Sequence, residues 1–460
     1  MIQDQAQRMQ PAAASGGQCI GRIVALVTQD TNIVVASVIL NNLLRAFSSV
    51  ILTRLLVPEA FGVSGIIASV SFTAAMLSDL GFQAFVVRHQ DGDRPRFLDT
   101  VWTIALIRSA LLTIALFALA WPIAHMLAKP DLAPMIQWSA LVFAIEGLAS
   151  LTLLTAIRQR MILRLSLLEL IVMVVQILAS VILAWLWRDV WAVLVALVVG
   201  SICKTGLSYA MFPDSRRRLA LDPAYARDLW RFARYVTGSS IITLLLLQCD
   251  KLLLARLMSL EDFGLYVLAG NLASAPIAFT SAYASRILYP GYAEIWRNNS
   301  GDLRAQFYAR RWLASMLYMI AVGGLIGSAP LIIAILYDHR YADTTIYLQL
   351  LAIMPFFALA SYSGNEMLTA AGRVATTFQA SVAKLGWLVI AAPIAWLTIG
   401  QLALVAVIGM MEIPSVLFKW VQMHRIGMLD MGKELLFLGA GVGGIATGMA
   451  GSALITPLLA

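Results

Sequence analysis

Charged side chains are scarce in this sequence. Asp, Glu, Lys and Arg make up 13% of its 460 residues, whereas hydrophobic residues make up 60%. Soluble globular proteins carry charge on about a quarter of their residues, and a soluble core built by a chain of this length could not bury so much apolar surface. A lipid bilayer accepts apolar surface, so the composition predicts an integral membrane protein.

The sequence also lacks the motifs of soluble catalytic and metal sites. Its three cysteines are widely spaced and its four histidines are isolated, so neither residue type has metal-ligand or redox spacing. It contains no Gly-x-x-x-x-Gly-Lys-Ser/Thr loop, which argues against ATP hydrolysis by this chain. We therefore expect no metal, no cofactor and no enzymatic activity.

Long apolar runs are what the sequence contains instead. About 20 apolar residues are needed to cross the hydrocarbon core of a bilayer. Thirteen runs reach this length: 33–52, 63–87, 100–127, 135–157, 165–187, 190–212, 232–255, 263–287, 311–336, 344–370, 374–399, 401–423 and 434–458. The last run contains Gly439, Gly441, Gly443 and Gly444, which predict a weak helix.

Basic residues alternate between the gaps that separate these runs. Arginines cluster in every second gap, for example in 88–96, 158–164 and 297–310. The other gaps hold little more than Arg54, Lys129, Arg188, Arg256 and Arg340. By the positive-inside rule the N-terminus is cytoplasmic. Since the net charge of +8 arises mainly from these gaps, it does not indicate a nucleic-acid partner.

The chain also repeats itself. Arg-Leu, then Glu, then Phe-Gly occurs with identical spacing in 54–62 and in 256–264, each time near the outer end of the first run of a set of six. An even number of spans per repeat gives both copies the same orientation. The predicted fold is therefore an all-α polytopic membrane protein. Its two six-helix bundles are related by a pseudo-two-fold axis along the membrane normal, with about one extra C-terminal helix.

This pattern predicts five parts. They are a cytoplasmic tail (1–31), a first six-helix bundle (32–212), a cytoplasmic linker (213–231), a second six-helix bundle (232–425) and an additional C-terminal transmembrane segment (426–460).

Ionisable groups within the runs are the candidate site residues, because each costs about 2.5–3.5 kcal/mol to insert at mid-bilayer. In the first run a polar stripe lies opposite an apolar one. The stripe consists of Ser37, Asn41, Asn42, Arg45, Ser48 and Ser49. We expect a cationic cavity for an anionic cargo, lined by Arg45, Asn41, Asn42, Arg108, Lys204, Lys251 and Lys384. The candidates for binding a coupling ion are Asp79, Glu146, Asp250, Glu366 and Glu412. For each group alone, a structural ion pair is an equal alternative.

Several segments resemble a known family. RLLVPEAFG at 54–62 and SDLGF at 78–82 resemble the opening of Wzx-type polysaccharide transporters, which belong to the multidrug/oligosaccharidyl-lipid/polysaccharide exporter superfamily. CDKLLLARL at 249–257, FGLY at 263–266 and Tyr289-Pro290 resemble the corresponding segments of the second half. The similarity in span pattern covers most of the chain.

The resemblance implies a function. Such proteins flip undecaprenyl-diphosphate-linked oligosaccharides across the bacterial inner membrane for exopolysaccharide or O-antigen synthesis, by alternating access without ATP hydrolysis. Their partners would be the lipid-linked oligosaccharide, membrane lipid and other polysaccharide-assembly proteins. Two alternatives stay open: a multidrug or cation antiporter of the same superfamily, whose cavity should be acidic, and a membrane glycan polymerase or ligase, which would need a large outward loop.

Overall fold

The computed structural model of the chain describes residues 30–212, 217–298 and 302–459. Within those ranges the protein is helical and contains no strand. The first half contributes eight helices, α1 Asp30–Leu55, α2 Pro58–Leu77, α3 Phe82–Arg88, α4 Pro95–Met126, α5 Ala133–Gly147, α6 Thr152–Arg158, α7 Ile162–Trp187 and α8 Trp191–Ala210. The predicted cytoplasmic tail, 1–31, lies almost entirely outside the described residues.

The second half begins with the longest helix. Its elements are α9 Pro223–Leu257, α10 Leu260–Tyr283, α11 Tyr289–Asn298, α12 Leu303–Gly327, α13 Ala329–Leu336, α14 Thr344–Leu351, α15 Ile353–Ala370, α16 Ala375–Thr398, α17 Gln401–Gly409 and α18 Glu412–Arg425. The additional C-terminal segment is one helix, α19 Met431–Leu459. We call the end of the bundle where α1 ends and α2 begins the outer end, and the opposite end the inner end.

The helices are long enough for a multi-pass membrane protein. Within the described ranges, nine are sufficiently long and apolar to cross a membrane, or up to eleven if each of two bent helix pairs is one span. Helices α1 and α9, with 26 and 35 residues, lie outside that count. At 1.5 Å per residue each exceeds the ~30 Å hydrocarbon core. The all-α membrane fold is confirmed; the division into six, six and one stays a prediction.

Several predicted spans are broken rather than straight. The runs predicted at 135–157 and 311–336 are bent helix pairs, with angles of 59° and 67° at their breaks. Pro330 lies in the first turn after one of these breaks. Pro355 and Pro414 likewise lie near the starts of α15 and α18. Proline lacks the N–H that an interior helical residue donates, and the first turn of a helix does not need that donor.

Helix α9 begins earlier than the sequence predicts. Its first residue is Pro223, inside the segment assigned to the linker, and the Asp222 carboxylate accepts a hydrogen bond from the Ala224 N–H at 2.9 Å. An N-cap aspartate followed by proline is a strong helix start. Residues 223–231 of the predicted linker therefore form the inner extension of this helix.

The largest hydrophobic core that the two halves share lies at the outer end. This outer core contains residues from both halves, including Leu56 and Ile66 of the first and Phe263 and Leu348 of the second. Toward the inner end the core of the second half, around Tyr308, is separate. The inner part of α9 instead joins a core of the first half through Leu229. The halves therefore share their largest core at the outer end, and at the inner end α9 of the second half packs against the first half.

Glycines attach the additional helix α19 to α12. A Cβ at Gly323 would lie 2.0 Å from the Gly441 carbonyl oxygen, and one at Gly327 would lie 2.1 Å from that of Ile445. On α19, a Cβ at Gly444 would lie 2.4 Å from the Ile320 carbonyl oxygen. Small residues that let two backbones approach are the usual means of packing helices in lipid. The glycines that predict a weak helix therefore form its packing face.

Adjacent glycines on α19 provide a direct test. We expect Gly444→Ala to destabilise the protein by about 1–3 kcal/mol, because its methyl group would force the two backbones apart. Gly443→Ala is the control, because a Cβ there meets nothing within 4 Å and alanine favours helix by up to about 1 kcal/mol. Thermal unfolding of the purified protein in detergent measures both. Equal melting temperatures for the two variants would contradict the packing described.

Candidate functional site

The repeated sequence motifs of the two halves contact each other at the outer end. A Cβ at Gly62 on α2 would lie 1.9 Å from the Leu260 carbonyl oxygen, and a Cβ at Gly264 on α10 would lie 2.0 Å from the Pro58 carbonyl oxygen. Each glycine meets the residue that stands four positions before its counterpart. Such a reciprocal contact is what a two-fold relation produces. The repeat therefore lies on the pseudo-symmetry axis and closes the outer end of the interface.

Cations reinforce this closure by capping helix C-termini. The Lys129 ammonium, in the loop after α4, donates hydrogen bonds to the carbonyls of Ala255 and Met258 at 2.7 and 2.9 Å. Arg256, at the C-terminal end of α9, donates in turn to the Met126 carbonyl at the end of α4. Cations are favourable at helix C-termini. Burial in this loop lowers the pKa of the Lys129 ammonium from its ordinary value. The C-terminal end of α9, a helix of the second half, is thus hydrogen-bonded to the end of α4 and the loop after it in the first half.

Helix α1 presents two different exposed flanks. Its buried face, which includes Ser37 and Ser48, packs along α7. One exposed flank is apolar and contains Leu43 and Phe47, with 62% and 63% of each residue accessible. Arg45 is exposed on the other flank.

The polar flank of α1 also carries two asparagines. Asn42 is exposed beside Arg45, and Asn41 lies at the edge of the buried face. The Asn41 side-chain oxygen is buried without a hydrogen-bond partner among the described residues. The apolar flank is the one suited to lipid, so the polar flank faces a different environment. The structure therefore divides the predicted stripe: Arg45 and Asn42 are exposed on the polar flank, whereas Ser37 and Ser48 are buried against α7.

Arg108 is held by the inner end of α2. Its guanidinium donates to the Ser78 carbonyl at 2.5 Å, to the Ala75 carbonyl at 3.0 Å and to the Ser78 hydroxyl at 2.8 Å. The adjacent Asp79 carboxylate accepts hydrogen bonds from the Gly81 N–H and from the Ser240 hydroxyl of α9. At the inner end, Arg108 thus joins α4 to α2, and Asp79 joins the end of α2 to α9.

Lys204 and Glu146 form an ion pair within the first half. The Lys204 ammonium lies 2.9 Å from the Glu146 carboxylate, and the side chains are 37% and 39% exposed. Glu146 lies next to the break between α5 and α6. The carbonyls freed there accept hydrogen bonds from α8: Thr205 donates to Ile145 and Tyr209 to Leu148. The structure therefore brings these two candidates together at a bend.

Lys384 and Glu412 form a second, more deeply buried ion pair. It joins α16 to the first residue of α18, with the side chains 20% and 8% exposed. Lys419, two turns further along α18, is also buried and donates to the Ser361 carbonyl and hydroxyl at 3.1 and 2.8 Å. Sequence reasoning did not select Lys419, although a lysine inside an apolar run is the same signal that selected Lys384.

The remaining candidates lie on two helices of the second half. The Asp250 carboxylate accepts a hydrogen bond from the Tyr266 hydroxyl of α10 at 3.0 Å. Lys251 is partly exposed beside it. The Glu366 carboxylate on α15 interacts electrostatically with the Lys419 ammonium. Four candidates therefore form two separate ion pairs, Lys204–Glu146 and Lys384–Glu412, and among the described residues no ion pair involves Arg45.

A buried ion pair that sequence reasoning missed anchors α19. Arg311 on α12 binds the Glu434 carboxylate, and both side chains are at most 3% exposed. The Tyr308 hydroxyl donates to the same carboxylate at 2.8 Å. Both ionic residues lie at the inner ends of apolar runs, where a charge normally reaches the interface. Only the position of α19 beside α12 shows that they face each other.

Both the sequence and the fold of the chain resemble known proteins. Residues 51–346, more than half of the chain, match the family described as "Polysaccharide biosynthesis protein". The lipopolysaccharide biosynthesis protein WzxC of Escherichia coli (strain K12) is 23% identical over 336 residues, which cover 73% of this chain and 68% of that protein. The succinoglycan biosynthesis transport protein ExoT of Rhizobium meliloti (strain 1021) is 23% identical over 304 residues, covering 66% of this chain and 61% of ExoT.

Solved structures confirm the fold class. The lipid II flippase MurJ in an inward closed conformation superimposes with a TM-score of 0.66 at 12% identity, covering 90% of this chain and 91% of MurJ. An inward-facing multidrug resistance MATE transporter gives 0.58 at 15% identity, with 84% and 95% covered. These two structures show that the chain shares their fold. The chain therefore belongs to the polysaccharide biosynthesis protein family.

Proposed function

We propose that this protein flips an undecaprenyl-diphosphate-linked oligosaccharide from the cytoplasmic to the periplasmic leaflet of a bacterial inner membrane, with its N-terminus in the cytoplasm. The observation that carries the proposal is the polar flank of α1, on which Arg45 is exposed beside Asn42. A diphosphate carries about two negative charges. One arginine at 4 Å attracts a unit charge by about 4 kcal/mol at an effective dielectric constant near 20.

The closed outer end and the separate inner cores fit a cargo taken up from the inner side. The Gly62–Gly264 contact seals the outer end of the interface, and the inner core around Tyr308 of the second half is separate from the inner core of the first half, which α9 joins through Leu229. Alternating access then requires the outer seal to open while the inner ends approach each other. Such a movement needs no ATP site, and coupling would come from an ion gradient or from removal of the product.

The carboxylates favour an anionic cargo over a cationic one. A cation antiporter should expose unpaired acidic groups to its cavity. Glu146 and Glu412 are instead each neutralised by a lysine, and Asp79 accepts two hydrogen bonds from the protein. Arg45 keeps its positive charge exposed. The charge of the polar flank is therefore positive, which suits a diphosphate.

Replacing Arg45 tests the proposal. In cells that lack the chromosomal gene, we expect Arg45→Ala to abolish glycan export and to leave the lipid-linked glycan in the inner leaflet, because a loss of about 4 kcal/mol is about a thousandfold in binding. Arg45→Lys should keep part of the export. Leu43→Ala, on the apolar flank of the same helix, is the control and should export normally. Full export by a membrane-inserted Arg45→Ala protein would refute a role for Arg45.

The two lysine–glutamate pairs should differ in how far they stabilise the fold. Glu412→Gln leaves Lys384 largely buried without its partner, and we expect a loss of about 3 kcal/mol. Glu146→Gln affects a pair that is more than a third exposed, and we expect a loss below about 1 kcal/mol. Melting temperatures in detergent measure both. A larger loss for Glu146→Gln would show that burial does not decide the contribution of these pairs.

A further inference from the structure

The inner extension of α9 carries a basic and aromatic face. Arg227, Arg231 and Arg234 follow at helical spacing on one side, and all three are exposed. Trp230 and Tyr235 flank them and are 71% and 69% exposed. We call these five residues the α9 basic face.

The opposite side of the same helix is buried. Leu229 and Ala233 are each 2% exposed, and the helix packs there against α2 and α4. The α9 basic face therefore points away from the first half.

The level of this face in the bilayer follows from α2. Helix α2 has 20 residues, about 30 Å, which equals the hydrocarbon thickness. Just past its inner end, Asp79 receives hydrogen bonds from Thr237 and Ser240 of α9 at 2.9 and 3.2 Å. At 1.5 Å per residue, Arg234 lies about 5 Å and Arg231 about 9 Å further toward the inner side. Both arginines are therefore at the depth of lipid phosphates.

The two arginines retain most of their hydrogen-bonding capacity. Within the described part of the chain, the Arg231 guanidinium makes no ion pair, and Arg234 donates only to the neighbouring Tyr235 hydroxyl at 2.8 Å. Residues three apart on a helix are neighbours, about 5–6 Å between their Cβ atoms. Two guanidinium groups so placed can each hold one phosphate of a diphosphate in bidentate fashion.

We propose that the α9 basic face captures the diphosphate and first sugar of the lipid-linked glycan in the inner leaflet. Arg231 and Arg234 bind the two phosphates, and the ring of Trp230 packs on the sugar. The Tyr235 ring, 4.6 Å from the Arg234 guanidinium, positions that arginine. This inference rests on the proposed function and names a separate binding surface for the same cargo. The bound headgroup then lies beside α9, the helix of the second half that packs against α2 and α4 of the first half.

Lysine substitutions distinguish this site from a simple membrane anchor. Basic and aromatic residues at a membrane interface also orient helices in bulk lipid. For that role charge alone matters, and lysine serves as well as arginine. Bidentate phosphate binding requires the planar fork of arginine, so Arg→Lys is not conservative there. The double variant Arg231→Lys/Arg234→Lys therefore preserves charge and topology while removing the proposed recognition.

The experiment uses the full chain in nanodiscs of phosphatidylethanolamine and phosphatidylglycerol. Undecaprenyl diphosphate is the probe, and its dissociation constant is measured for the wild type and for the double-lysine variant. We expect at least a tenfold weaker affinity in the variant, with unchanged phosphatidylglycerol binding. The matched control is Arg96→Lys/Arg304→Lys, because both arginines are exposed at the inner end and lie outside α9. It should bind like the wild type.

The outcomes separate the two proposals. Equal affinity of wild type and double-lysine variant for undecaprenyl diphosphate, with normal export, would overturn the α9 site and leave the flippase function standing. Competition by phosphatidylglycerol at equal concentration would show a bilayer anchor only. Failure of the wild type to bind undecaprenyl diphosphate would count against both.

Discussion

The close approach of two backbones at Gly62 and Gly264 is the constraint on which the rest of the structure depends. Any side chain at either position would meet a carbonyl oxygen at about 2 Å. This contact places the two halves on a common axis and gives the outer end its shared core. The contact continues along the two helices, because a Cβ at Gly65 would also lie 2.6 Å from the Val267 side chain. The glycines of α2 and their neighbours on α10 therefore determine where the interface is tight.

The repeat was visible in the sequence, but its role was not. Identical spacing in 54–62 and 256–264 indicates two related halves. It does not say that the copies pack on each other, because spacing describes one chain segment at a time. The same limit applies to the charged residues. Glu146, Lys204, Lys384 and Glu412 were each selected from their cost in the bilayer. Which lysine meets which glutamate depends on helix packing that no local pattern encodes.

Two expectations from the sequence are incomplete for the same physical reason. The glycines of α19 predict a weak helix, and the polar residues of 223–231 predict part of a cytoplasmic linker. Both judgements weigh each residue's intrinsic preference and omit what it packs against. In lipid, backbone hydrogen bonds cannot be exchanged with water, so glycine costs less in a helix and offers close contact. At the interface, arginine and tryptophan can extend a membrane helix because their polar ends reach headgroups.

The distribution of unpaired charge argues for an anionic cargo more strongly than any single residue does. Lys204 and Lys384 pair with Glu146 and Glu412 of their own halves, and Arg311 pairs with Glu434. The Arg108 guanidinium donates hydrogen bonds to backbone carbonyls at the inner end of α2. Ion pairs of this kind hold a bundle together and leave little field outside it. Exposed cations remain on the polar flank of α1 and on the inner part of α9. For the cargo that we propose, a diphosphate is attracted at both positions, whereas a cationic drug is repelled there.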